Sequence, residues 1–226
     1  MSNKVLIIVG GMVNRLPHVE LYLKHYDKNS IEYDIIEWNR NNDSVIEKNN
    51  RYIYNKKISD LAPFYVKLIE IFKFSQYVKK IIKQNKYNRI ITFTIADSLF
   101  LIPLLIKKYT NKYIFDIRDY SPICKLPFSN CILRKFINHS YVTCISSEGF
   151  KYWLPKECNY IMSHNIDLSL CSSDNKYTFK PLNQILDILT IGKIRDYESN
   201  KLIIDQLANN SNVKVRFVGD GNAKQI

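Results

Sequence analysis

Short apolar runs alternate with longer stretches of helical periodicity along most of the chain, and that alternation constrains the fold more than any other feature. Val5 to Val9 is apolar at every position and closes on Gly10 and Gly11. An unbroken apolar run before a turn is what a strand covered on both faces requires. A helix is expected over 16–26 and a second strand over 31–38, followed by an Asn-rich polar loop over 39–57. In the segment 64–83 the apolar positions Ile71, Phe74, Val78 and Ile81 recur at spacings of three and four, while Lys73, Gln76, Lys80 and Lys83 line an opposing face. That spacing predicts an amphipathic helix with a wide apolar arc. Strands at 89–94, 113–117, 141–145 and 160–163, with helices at 97–108 and around 132–139, continue the pattern. The expected fold class is α/β, a Rossmann-like doubly wound parallel sheet, which places ligands at the carboxyl ends of its strands.

This first domain is expected to cover 1–167, and the polar passage 168–184 to be a linker. A second α/β unit then starts over 185–226, with a strand at 185–191, a turn at Gly192, a helix near 199–209 and a strand at 213–218. Two parallel strands and one crossover cannot bury both faces of a sheet, so this second domain is expected to be incomplete within the chain.

Hydrophobic residues make up 46% of the 226, enough for a sizeable core and incompatible with wholesale disorder. The net charge is +12, which suits anionic partners. It is uneven: residues 59–85 carry +3 and residues 107–140 carry +5. Both segments interleave Lys and Arg with Phe, Tyr and Leu, the composition of an interfacial surface on anionic lipid and equally of helices that cover a sheet. The five cysteines show no C-x-x-C spacing and read as reduced thiols of a cytoplasmic protein. Met1 to Met12 lacks the features of a signal peptide, and the apolar run over 90–106 is interrupted by Asp97 and Pro103, so it reads as strand and helix rather than a membrane span.

Several chemistries fail on missing residues. No G-x-G-x-x-G follows the first strand, which argues against a dinucleotide oxidoreductase. His18 and Glu20 form an H-x-E without the P-C-x-x-C of zinc deaminases, and His139 and His164 lack a Cys pair at metal spacing. Ser146 and Ser147 are not framed as a serine-hydrolase nucleophile. Neither an RNP pattern nor an arginine-rich segment supports nucleic-acid binding.

The residues that remain lie at strand ends. Asp116, Arg118 and Asp119 set a guanidinium between carboxylates where open sheets bind ligands, a group that could face a sugar or phosphate and could equally brace a loop. Ser147 should cap a helix start that Glu148 complements electrostatically. Gly10 and Gly11 permit a tight turn and close approach to backbone amides. In the second domain Gly192, Lys193, Arg195 and Lys201 could neutralise a diphosphate, and Gly219 and Gly221 would let amides approach one.

In sequence order these segments resemble the GT-B glycosyltransferases, in particular the retaining family 4 group that builds bacterial capsule and O-antigen polysaccharides. The resemblance rests on K-V-L-I-I-V-G-G at the start, I-F-D-I-R-D-Y-S-P at 114–122 and I-S-S-E-G-F-K-Y-W-L at 145–154. It continues with His164, Asn165 and Asp167, then I-G-K-I-R at 191–195 and V-G-D-G at 218–221. It implies transfer of a sugar from a nucleotide-sugar donor to a saccharide or lipid-linked saccharide, without metal or other cofactor, at the inner face of the membrane. Asp116, Arg118 and Asp119 would then be catalytic, and Gly10, Gly11, Ser147, Glu148 and Asn165 would face the acceptor and cleft. The second-domain residues would hold the donor. Arg118 stands where family members often have His, and Lys193 where they usually have Arg. The family's two glutamates seven residues apart do not occur before Ile226, so this chain alone is expected to transfer weakly or not at all. The alternative is a half-enzyme completed by a partner chain.

Overall fold

Residues 4–44, 50–59, 61–164, 185–191, 197–207 and 209–219 are described by the computed structural model, and the chain divides into two compact units, Met1–Leu170 and Cys171–Ile226. The first unit contains β1 (Val5–Val9), α1 (Pro17–Lys28), β2 (Tyr33–Asn39), β3 (Arg51–Asn55), α2 (Phe64–Gln84) and β4 (Arg89–Phe93). These are followed by α3 (Ile95–Ser98), α4 (Ile102–Lys108), β5 (Tyr113–Ile117), α5 (Ser129–Asn138), β6 (Val142–Ile145) and β7 (Ile161–Met162). The seven strands form one parallel sheet in the order β3-β2-β1-β4-β5-β6-β7. The fold is the Rossmann-like doubly wound α/β sheet that the alternation predicts.

Side-chain alternation along each strand divides the core in two. Val5, Ile7 and Val9 of β1, with Ile35, Ile91 and Phe93, pack under α1 through Val19 and partly buried Tyr22 and Leu23. Leu6 and Ile8 join the larger core beneath α2, α4 and α5, where Phe74, Val78, Leu105, Leu133 and Phe136 are buried. Trp38 stacks on Phe74 with ring centroids 5.3 Å apart. Each such side chain removed from water contributes about 1.5–3 kcal/mol, and β1 is buried at all five positions.

Two expectations need correction. The segment 39–57 is not all loop: Arg51–Asn55 pairs with β2 as a parallel edge strand, and Tyr52 and Tyr54 pack against the core. The helix expected over 97–108 begins earlier, at Ile95, and is divided into α3, a 3₁₀ turn at Leu99–Leu101 and α4, with Pro103 at the start of the last piece, where its missing N–H costs nothing.

The second unit contains β8 (Leu186–Ile191), α6 (Tyr197–Leu207) and β9 (Val213–Val218), with β8 and β9 paired in parallel from Leu186–Val213 to Ile191–Val218. Arg216 on β9 bridges to Asp187 on β8 at 2.6 Å.

Candidate functional site

The strand order reverses direction between β1 and β4, and in sheets of this kind the crevice outside the carboxyl ends at that point is where ligands bind. A cavity of about 280 Å³ lies there, lined by Gly10 and Gly11 after β1, His18 on α1, Arg40 after β2, Thr94 and Asp97 after β4, and Arg118 and Asp119 after β5.

Asp97 organises the inner wall. It is 3% exposed, and its Oδ2 accepts hydrogen bonds from the Gly10 amide (3.1 Å) and the Thr94 hydroxyl (2.9 Å). Arg40 approaches Oδ1 at 3.4 Å, with its guanidinium carbon 4.3 Å from the centroid of the Trp38 ring. Burial pushes the Asp97 carboxyl above its ordinary value, against the opposing effects of Arg40, Thr94 and the Gly10 amide. Thr94 adopts φ 58°, a conformation a β-branched residue reaches only at a cost of about 1–3 kcal/mol and one that clusters at functional sites.

The second wall is built on β5. Asp116 is fully buried, and its Oδ2 accepts from Arg118 at 2.6 Å and from the Tyr22 hydroxyl at 2.9 Å. Arg118 also donates to the Ser163 carbonyl at 2.7 Å and to the Ser163 hydroxyl at 3.1 Å. Two strands and α1 thereby fix the guanidinium while it lines the cavity. Asp119 is exposed at the cavity rim. His18 lies half-buried with its ring 5.3 Å from that of Phe93. Burial first, then the charge of Arg118, hold its imidazole below the ordinary value, against Asp116 and Asp119, so it is neutral at pH 7. The entry loop is held from behind: Glu37, fully buried, accepts from the Val13 amide at 2.6 Å and from Arg51 Nε at 2.7 Å.

Of the residues singled out in sequence, Gly10, Gly11, Arg118 and Asp119 thus meet at one cavity, and Asp116 stands behind Arg118. What approaches Gly10 most closely is the Asp97 side chain, not open space for a ligand. Ser147 caps the 3₁₀ helix Glu148–Tyr152 by accepting from the Gly149 amide at 3.2 Å, and exposed Glu148 pairs with Lys151 at 2.6 Å. In the second unit Lys201 pairs with Asp205 along α6 at 2.5 Å, and Gly219 follows β9 directly. Asn165, Gly192, Lys193, Arg195 and Gly221 lie outside the described residues. Sequence reasoning missed His18, Arg40, Thr94 and Asp97 as a group; the available signal was an acid, Asp97, interrupting an apolar run directly after a predicted strand.

No protein-family model matches the chain, and no characterised protein matches it in sequence. Solved structures do match. The lipopolysaccharide outer core galactosyltransferase WaaB, in its apo form, superimposes with a TM-score of 0.55 at 15% identity, over 97% of this chain and 61% of that one. The UDP-N-acetylglucosamine 2-epimerase from Rickettsia bellii gives 0.52 at 12% identity, over 96% and 62%. The chain therefore spans about three-fifths of the length of each. The class so defined is a Rossmann-like α/β protein that shares its fold, of the GT-B kind, with a sugar-nucleotide epimerase and a galactosyltransferase.

Proposed function

We propose that the protein acts in glycosyl transfer from a nucleotide-sugar donor to a saccharide, lipid-linked in surface-polysaccharide biosynthesis, with retention of anomeric configuration. The first unit binds the acceptor and the second the donor. The observation that carries this reading is the composition of the cavity at the β1–β4 reversal. It sets two guanidinium groups, Arg40 and Arg118, beside two hydrogen-bond acceptors, the Asp119 carboxylate and the neutral His18 imidazole.

A sugar hydroxyl is at once donor and acceptor, and a site offering both roles at fixed positions suits it better than a site of cations alone. Arg118, clamped by Asp116 and Ser163, orients the acceptor, and His18 takes a hydrogen bond from the attacking hydroxyl. In the reaction the hydroxyl oxygen bonds the anomeric carbon as its proton passes to His18, and the bond from that carbon to the diphosphate oxygen breaks with its electron pair on the leaving group, which takes the proton on release. Lys193 and Arg195 are the cations proposed to neutralise that charge.

Calorimetric titration with a panel of UDP-, GDP-, TDP- and CMP-sugars, and then with saccharides, tests the proposal. One nucleotide class should bind. Arg118→Lys and His18→Gln should weaken saccharide binding about tenfold, the loss expected for one or two charge-assisted hydrogen bonds, and leave donor binding unchanged. Preference for a nicotinamide dinucleotide, or saccharide binding indifferent to both substitutions, would overturn it.

A further inference from the structure

The helices that cover the two faces of the first unit's sheet differ in charge. On one face α1 carries Glu20 and Asp27 against Lys24 and Lys28. On the other, α2, α4 and α5 carry a single acid among them, Glu70, which is buried and paired with Lys73 at 2.8 Å. From Tyr120 to Ser147 the sequence has no acid at all. Exposed on this side are Lys80 and Lys83 of α2, Lys107 and Lys108 of α4, and Arg134 and Lys135 of α5.

The same face exposes large apolar side chains. Along α2 the outward stripe reads Tyr65 (66% exposed), Ile69 (50%) and Phe72 (46%) before it turns cationic at Lys80 and Lys83. Phe72 meets Phe100 edge to face at 5.3 Å. Beyond Phe100 an apolar groove of about 590 Å³ runs between α4 and α5, lined by Pro103, Ile106 and Ile132, with Lys107 and Lys135 on its walls. Phe128, ahead of α5, is 82% exposed. Helices that only cover a sheet turn their apolar residues inward and have no use for this outer set.

We infer that the outer surface of α2, α4 and α5 is a docking face for an anionic lipid bilayer, with Tyr65, Ile69, Phe72 and Phe128 entering the headgroup region and the lysines and Arg134 binding lipid phosphates. Charge complementarity selects this occupant: Glu70 is paired with Lys73 at 2.8 Å and Glu157 with Arg134 at 3.6 Å, and the cations in excess of these pairs repel a like copy of the face and attract a negative surface. Aromatic side chains that bury in the interface give what a purely ionic partner would not reward. Among the described residues no helix is long and apolar enough to cross a membrane, so the attachment lies in the plane of the bilayer surface.

The face also reaches the site. A cavity of about 340 Å³, lined by Phe64, Lys67 and Ile71 of α2 together with Trp38 and Ile123, shares Arg40, Ala96, Ser121 and Pro122 with the cavity at the β1–β4 reversal. A saccharide whose lipid stays in the bilayer can therefore enter from the α2 side; this last step rests on the glycosyl-transfer reading, whereas bilayer binding does not.

The test is co-sedimentation of the full chain with phosphatidylcholine vesicles and with vesicles containing phosphatidylglycerol, without nucleotide sugar. Binding should require the anionic lipid and fall with salt. Ile69→Ser with Phe72→Ser, and separately Lys80→Glu with Lys83→Glu, should each weaken it about tenfold or more, with circular dichroism close to that of the wild type for both pairs; the urea midpoint should stay unchanged for the lysine pair and fall modestly for the apolar pair, which loses the contact of Phe72 with Phe100. Wild-type binding by either pair of substitutions, equal binding to neutral vesicles, binding abolished by short RNA competitors, or a dimer that buries Phe72 in place of vesicle binding would each overturn the inference. Vesicle binding by a chain that binds no nucleotide sugar would leave it standing and sink the transfer reading alone.

Discussion

The carboxylate of Asp97 occupies the space that a β-carbon on Gly10 would need, with Oδ1 1.9 Å from that position. The loop after β1 and the helix after β4, 87 residues apart in sequence, are therefore locked together by a missing side chain and a hydrogen bond. Gly10→Ala should destabilise the first unit by about 1–3 kcal/mol, the range for overpacking a filled site. In the Asp97→Ala background the same change should cost less than half as much. Urea unfolding of the four chains of this cycle measures the coupling, and additive effects would contradict it.

Asp97 also sets a sign for pH dependence. Its folded value lies above 3.8 because burial outweighs Arg40, Thr94 and the Gly10 amide, so the folded state holds the proton more tightly than the unfolded one. Its contribution to stability is complete below 3.8 and is lost as pH rises through the folded value. The stability of the wild type minus that of Asp97→Asn should accordingly fall from about pH 4 upward. A difference that rises with pH would show that pairing with Arg40 dominates.

His18 has the opposite sign. With its folded value held below 6.5, the unfolded chain takes up a proton first, and stability is lost as pH falls from 6.5 toward the folded value. His18→Gln should flatten that part of the curve. Chemical denaturation at half-unit pH steps, with and without the substitution, reads the slope directly.

Arg118 and Asp116 form a buried pair at 2.6 Å, with side chains 5% and 0% exposed. Arg118→Met would strand the Asp116 charge and should cost about 3–5 kcal/mol, whereas Arg118→Met combined with Asp116→Asn should recover part of that loss. Tyr22→Phe removes a second donor to the same oxygen and should cost about 1 kcal/mol. By contrast Ser147→Ala removes a cap on a short exposed helix and should cost about 0.5–1 kcal/mol, with saccharide binding unchanged if capping is its whole role.

Most of the scaffold was legible because its strands are buried on both faces. Tyr113–Ile117 occurs where the apolar run puts it, Val213–Val218 where Val, Val and Phe alternate with Lys and Arg, and α2 extends one residue past the predicted 64–83. β3 was not, since an edge strand that is only partly buried shows only the Tyr-Ile-Tyr run of residues 52–54 amid Asn and Lys. The site was half legible. Arg118 could be read from its place after a strand, and Gly10 from its turn. The reason for Gly10 lies in Asp97, and the place of His18 in a helix packed across β4 and β5, relationships that only the crossover connections create.

The most direct measurement is nuclear magnetic resonance of the ¹⁵N-labelled chain titrated first with the nucleotide sugar that binds and then with a saccharide acceptor. Donor should shift amides of the second unit, Gly219 among them, and saccharide should shift Gly11, Thr94 and Asp119 around the β1–β4 cavity. Saccharide that leaves those three amides unmoved, or shifts others instead, would contradict the assignment of this cavity to the acceptor.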